Sequence, residues 1–189
     1  VQKLIHESGH IQSGFYLDQM EELADTIKQM EEQQQPVLLF GVTYALLDFA
    51  AQFPMPLQHT CLIETGGMKG RRRELPRMAV HDILKKAFGL KQIASEYGMT
   101  ELLSQAYALQ DGTFVCPPWM KVFMRDLYDP FDLRMTGRGA LNIIDLANRH
   151  SCSFIATEDI GERFDDGSFL VHGRMQQAEI RGCNLLLTE

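Results

Sequence analysis

The feature that most restricts this chain is the order of its apolar segments, because over the first hundred residues short strand-like runs alternate with amphipathic stretches of helical period. From Asp18 to Gln35, Met20, Leu23, Ile27 and Met30 recur at helical spacing on an otherwise polar segment, and Pro36 stops it. Val37 to Phe40 reads as a short buried strand, and Gly41-Val42-Thr43 opens a second helix carrying Tyr44, Leu47 and Ala51, which Pro54 and Pro56 end. His59 to Glu64 is a second strand, Thr65 to Gly70 a glycine turn, and Pro76 to Phe88 a helix for which Gly89 is a C-cap. Gln92 to Ser95 enters a third strand that runs into Tyr97-Gly98. Strands separated by helices predict a parallel sheet with crossover helices.

Beyond Gly112 the texture changes. Thr113 to Cys116, Met120 to Arg125, Ala140 to Ile144, Phe154 to Glu158 and Ser168 to His172 are short segments set apart by Gly, Pro and Asp, and they read as antiparallel strands. The expected fold is therefore α/β, a parallel sheet followed by a small β-rich subdomain. Its expected divisions are 1–111 for the sheet, 112–173 for the β-rich part and 174–189 for a hinge-like tail.

Composition narrows the function. The chain has 189 residues, 45% apolar and 23% charged, which suits one domain or a domain with a small annex. Its net charge of -7, with Arg71-Arg72-Arg73 as the only basic run, argues against a nucleic-acid partner, which needs Lys and Arg gathered on one face. The most apolar uncharged run, Val37 to Leu47, is far too short for a bilayer span. Cys61, Cys116, Cys152 and Cys183 form no C-x-x-C pair, so free thiols in a reducing cytoplasm are expected. Cys61, Cys116 and Cys152 read as core residues. Because the chain begins with Val1, a leader upstream is left open.

Four local motifs carry chemistry. His6-Glu7-Ser8-Gly9-His10 fits H-E-x-x-H, a zinc pattern that needs both histidines on one helical turn, yet Ser8 and Gly9 are weak helix formers. Thr65 to Gly70 is a glycine turn at the carboxyl end of a strand, where open α/β sheets place ligands, but it is not a Walker loop. In Ser95 to Glu101, Tyr97 can stack on a purine, Gly98 permits close approach, Thr100 can bond a phosphate oxygen, and Glu101 is a hard oxygen ligand for Mg²⁺. The structural alternative is that Thr100 caps a helix from Glu101 to Leu109. In Thr157-Glu158-Asp159-Ile160-Gly161, Asp159 can accept both hydroxyls of a ribose, and Arg174 of Gly173-Arg174 can donate to the sugar or to phosphate. Its alternative is an Asx-type turn between two strands.

Taken together, Tyr97 to Glu101, Thr157 to Gly161, Gly173-Arg174 and Ile180-Arg181-Gly182 resemble the adenylate-forming superfamily of acyl-CoA synthetases, luciferases and peptide-synthetase adenylation domains. Gly66 to Gly70 and the closing Arg181-Gly182-Cys183 look most like its acyl-protein synthetases, the luciferin-component ligases that activate long-chain fatty acids. The resemblance covers Val37 to Cys183. It implies that Gly66, Gly67, Tyr97 and Gly98 lie about the adenine of ATP or AMP, that Thr100 contacts phosphate, that Glu101 holds Mg²⁺, and that Asp159 and Arg174 bind ribose. It also implies the C-terminal portion of a longer enzyme, since the superfamily's upstream phosphate loop is missing from this sequence, while the missing large C-terminal lid matches the acyl-protein synthetases, which are similarly short at that end.

The implied reaction joins a fatty acid to ATP as acyl-adenylate and then moves the acyl group to Cys183 as a thioester, for delivery to a reductase partner protein. A thiol suits that step because thiolate is strongly nucleophilic and a thioester stays reactive. Two alternatives are a CoA ligase resembling phenylacetate-CoA ligase, and a non-catalytic interaction module that keeps the fold.

Overall fold

The computed structural model describes residues 1–66, 75–109 and 112–175, which form two compact units. The first takes in Val1–Glu96 and Leu109, and the second Tyr97–Ala108 together with the chain from Gly112 onward.

In the first unit, α1 (Gln2–Ser8) is a short exposed helix, and α2 (Met20–Glu32) buries Ile27 and Met30 of the predicted stripe together with Ala24, with Met20 and Leu23 partly buried against the same core. Strand β1 (Val37–Val42) leads into α3 (Thr43–Gln52), β2 (Thr60–Thr65) precedes α4 (Arg77–Phe88), and β3 (Ala94–Tyr97) closes the series. Gly89 ends α4 in the left-handed conformation that the sequence predicts. β1 pairs with β2 in parallel from Val37↔Thr60 to Val42↔Thr65, and β2 with β3 from Ile63↔Ala94 to Thr65↔Glu96. Leu39, Leu62, Leu46, Phe49, Leu84 and Phe88 form the centre of one apolar core. Glu31 of α2 fixes the start of β2, accepting from Gln58 N, His59 N and Thr60 Oγ1 at 2.8, 3.0 and 2.6 Å.

Period-two burial overturns one expectation. β2 turns Thr60, Leu62 and Glu64 inward, which leaves Cys61 exposed rather than in the core. In the second unit Cys152, just before the strand that begins at Phe154, is likewise exposed rather than in the core, and Cys116 is half-buried. Burial pushes the Cys116 thiol up to about 11, so it stays protonated and unreactive near neutral pH.

The inward Glu64 is 3% exposed and sits among polar groups gathered from three other elements. Thr43 Oγ1 at the start of α3 donates to Glu64 Oε2 at 2.7 Å, and Arg77 Nε of α4 lies 3.3 Å from Oε1. His81 Nε2 is 3.7 Å from the same oxygen and 3.1 Å from Ser95 Oγ of β3. Burial pushes the Glu64 carboxyl up, but His81, Ser95, the Arg77 charge and Thr43 outweigh it and hold it below the ordinary 4.5.

The second unit contains β4 (Ala106–Ala108), β5 (Met120–Arg125), β6 (Leu133–Arg134), β7 (Gly137–Asp145), β8 (Phe154–Arg163) and β9 (Phe169–Arg174). Five of them form an antiparallel sheet in the order β6-β5-β7-β8-β9. The predicted strand at Thr113 to Cys116 is reduced to two bridges, Val115 to Tyr107 and Phe114 to Phe169. Residues 101–109 form no helix; they hold turns and then β4, so Thr100 caps nothing there. Phe114, Phe169, Val122, Met124, Leu141 and Ile143 centre the second core. No helix among the described residues is long and apolar enough to cross a membrane.

A carboxylate held below its unfolded value stabilises the fold fully above that value, and the contribution is lost as pH falls through the folded one. Glu64→Gln, which removes the buried charge that faces Arg77 and accepts from Thr43, is expected to cost about 3 kcal/mol at neutral pH. Its deficit against the parent in urea melts is expected to shrink as the pH drops below about 4.5. A deficit that stays constant to pH 3 would show that the Glu64 charge is immaterial.

Candidate functional site

Tyr97, the last residue of β3, is the anchor of the site in the second unit. Its side chain is 8% exposed, edge-on to Phe169 with ring centroids 5.6 Å apart and tilted against Phe114 at 5.8 Å. Its hydroxyl donates to Asp159 Oδ2 at 2.7 Å across 62 residues of sequence. The other carboxylate oxygen, Oδ1, lies 3.4 Å from Arg174 Nε. Burial and the Asp159 charge raise the Tyr97 phenol well above its ordinary value, so it is a fixed donor.

Asp159 lies at the end of a bulge in β8. Opposite the single residue Leu141, between the pairs Asn142↔Ala156 and Ala140↔Ile160, β8 places Thr157, Glu158 and Asp159. A bulge frees backbone groups from the ladder, and those groups need other partners. Thr157 Oγ1 donates to Leu141 O at 2.9 Å and accepts from Asp159 N at 3.1 Å. Arg125 Nη2 donates to Thr157 O at 2.8 Å, and Met175 N to Glu158 O at 2.8 Å. Gly161 completes the motif, since a Cβ there would overlap the Leu170 carbonyl oxygen of β9. The three fixed positions of T-x-D-x-G thus act locally. Thr157 stitches the bulge, Asp159 is presented by it, and Gly161 lets β9 approach.

Past Tyr97 the chain surfaces, with Gly98, Thr100 and Glu101 exposed, and then returns inward at Leu102. Two residues at and beyond the end of β7 hold that excursion. Asp145 accepts from Leu103 N at 3.0 Å, from Ser104 N at 2.8 Å and from Ser104 Oγ at 2.7 Å. Asn148 Nδ2 donates to Glu101 O at 2.7 Å. Burial pushes the Asp145 carboxyl up, but these donors outweigh it and hold it below the usual range. Glu101 therefore has a clamped backbone and an exposed carboxylate, a geometry that suits a hard-oxygen ligand to a cation completed by substrate phosphates.

Of the sequence-predicted site residues, Tyr97, Asp159 and Arg174 are brought into direct contact, and Gly98, Thr100 and Glu101 follow on the same strand exit. Gly66 belongs to the first unit, where it follows β2 with φ 70° and its carbonyl accepts from Thr43 Oγ1 at 2.9 Å. Gly67 and Cys183 lie outside the described residues. The H-E-x-x-H match does not sit on one helix, because α1 ends at Ser8 and Gly9 turns left-handed before His10. Among the described residues, no group of three or more His, Cys, Asp or Glu could hold a metal ion together.

Sequence reasoning missed Asp145, Asn148, Arg125 and the Glu64 cluster. Asp145 had a signal in the sequence, an acid closing the apolar run Ala140 to Ile144. Arg125 had none, since a strand arginine is ordinarily a solvated one.

No family model matches the sequence, and no curated protein matches it. Solved structures do. ATP-bound MatB from Rhodopseudomonas palustris superposes with a TM-score of 0.56 at 16% identity, covering 80% of this chain and 33% of that one. Coronafacic acid ligase from Pectobacterium brasiliense gives 0.55 at 15% identity, covering 82% and 32%. The luciferase-like enzyme of the nonluminescent mealworm Zophobas morio gives 0.56 at 18% identity, covering 82% and 41%. The chain thus spans less than half the length of each. The fold class that the sequence resemblance implies, a parallel sheet followed by a β-rich antiparallel one, is the one observed.

Thr157→Val keeps the shape and removes the donor and acceptor that stitch the bulge, and is expected to cost about 2 kcal/mol by urea denaturation. Gly161→Ala is expected to cost at least as much, because backbone has to move. Melting curves indistinguishable from the parent for both variants would show that the bulge tolerates their loss.

Proposed function

We propose that this chain is part of an ATP-dependent ligase that activates a carboxylic acid as an acyl-adenylate, and that the second unit binds the adenylate. The observation that carries the reading is the Tyr97–Asp159 hydrogen bond, which joins two of the motifs on which the resemblance rests, with Arg174 on the same carboxylate. The fold it shares with an ATP-bound enzyme and a named acid ligase supports it. Asp159 and Arg174 take the ribose, Thr100 offers its hydroxyl to phosphate, Gly98 gives the base a close approach, and Glu101 is the ligand for Mg²⁺. When bound, that cation would neutralise phosphate charge. In the reaction a carboxylate oxygen attacks the α-phosphorus, that P–O bond forms, and the bond to pyrophosphate breaks.

Within this class the finer reading is an acyl-protein synthetase, with a long-chain fatty acid as substrate, Cys183 as acyl acceptor and a reductase as the onward partner. Its support is the Gly66 to Gly70 turn and the closing Arg181-Gly182-Cys183 of the sequence. A CoA ligase would make the same adenylate and pass the acyl group to CoA instead.

In calorimetry the 189-residue chain is expected to bind AMP, and Asp159→Ala to weaken binding about 100-fold through loss of charged hydrogen bonds to the sugar. Absence of AMP binding by the parent chain would favour a non-catalytic module. For the finer reading, the full-length gene product with ATP and labelled fatty acids is expected to acquire hydroxylamine-sensitive label that Cys183→Ser abolishes. Label that passes to CoA and is indifferent to Cys183→Ser would assign a CoA ligase.

A further inference from the structure

Both oxygens of the Asp159 carboxylate are already engaged, Oδ2 by the Tyr97 hydroxyl and Oδ1 on the Arg174 side. An ionised carboxylate offers about four lone-pair directions, so each oxygen keeps one that is unfilled by these partners. Two acceptor directions on one planar group match the two hydroxyls of a vicinal diol. Whether they face the diol depends on rotation about the Cβ–Cγ bond, which is soft for an aspartate left to itself.

The groups around Asp159 remove that freedom unequally. Arg174 is 69% exposed and its Nε is 3.4 Å away, a long and solvated contact. Tyr97 is buried, its ring is held against Phe169 and Phe114, and its hydroxyl is at 2.7 Å. Thr157 Oγ1 ties down the Asp159 backbone N–H, and its side chain also acts on the Tyr97 phenol. The phenol is therefore the rigid reference against which the carboxylate is set.

We propose that Tyr97 is a positioning residue whose hydroxyl holds the Asp159 carboxylate in the orientation that receives a ribose diol, so that selectivity for ribonucleotides depends on the phenol as well as the acid. The inference rests on the adenylate-binding reading above and adds to it a role for the hydroxyl, separate from any contact the ring makes with a base. Preorganisation of this kind acts on ligands that use the carboxylate and leaves others alone.

The test compares AMP with its 2′,3′-dideoxy analogue, titrated into the 189-residue chain and three variants. The parent is expected to prefer AMP. Tyr97→Phe, which keeps the ring, is expected to weaken AMP about tenfold while leaving the dideoxy nucleotide unchanged. Asp159→Asn is expected to bind both alike, and Tyr97→Phe on that background to change nothing further, a double-mutant cycle in which the hydroxyl acts only through the acid. Equal weakening of both nucleotides by Tyr97→Phe would mean that the phenol only packs; no weakening of either, or effects that add in the double variant, would likewise overturn the inference.

If the parent binds neither nucleotide, the adenylate reading itself falls. If Tyr97→Phe loses its cooperative melt, the wild type supplies the answer by NMR. A slowly exchanging Tyr97 hydroxyl proton that persists at saturating AMP supports the inference, and its disappearance on binding overturns it.

Discussion

A two-residue surplus in one β-strand organises the whole candidate site. Where β8 sets three residues against the single Leu141, the ladder cannot satisfy its own polar groups, and the cost of an unpaired buried N–H or C=O would be of order 1–3 kcal/mol each. The chain meets that demand with one threonine hydroxyl used twice, one arginine and one backbone N–H. A surplus of two leaves the alternation in phase, so Asp159 stays on the inward side with Thr157 and Gly161, and its carboxylate meets the Tyr97 hydroxyl.

The first unit meets a similar problem by different means. In β2 the alternation that puts Leu62 in the core also puts Glu64 there, two residues on. The fold answers with Thr43, Arg77, His81 and Ser95, each from the carboxyl end of a strand or from a helix beside it. Charge thus accumulates at the strand ends, the part of an open α/β sheet where polar ligands ordinarily bind. Thr43 links this cluster to Gly66, because its hydroxyl also lies against the Gly66 carbonyl.

Much of the fold was legible because its signals are local. The stripe Met20 to Met30, the proline stops and Gly89 each act within a few residues, and the observed elements follow them closely. Legibility failed where long-range packing decides. Cys61 looked like core in an apolar run, but the face of β2 is set by what lies beneath it, and an acid with partners displaced the thiol from the inside. The stretch after Thr100 has a helix former's composition, yet Asp145 and Asn148, more than forty residues on, capture its backbone and prevent the helix. For the site, the residue types Tyr97, Asp159 and Arg174 could be picked out from the sequence, whereas the hydrogen bond between Tyr97 and Asp159 spans 62 residues and is set by the packing of distant strands.

That capture by Asp145 also fixes an order of events during folding. The excursion from Gly98 to Glu101 is shaped by partners 41 to 47 residues downstream, so its loop-closure entropy is met only after β7 has formed. Synthesis delivers the motif early and its mould late. The hydrogen bonds that hold the segment presenting Thr100 and Glu101 cannot form until Asp145 and Asn148 have left the ribosome.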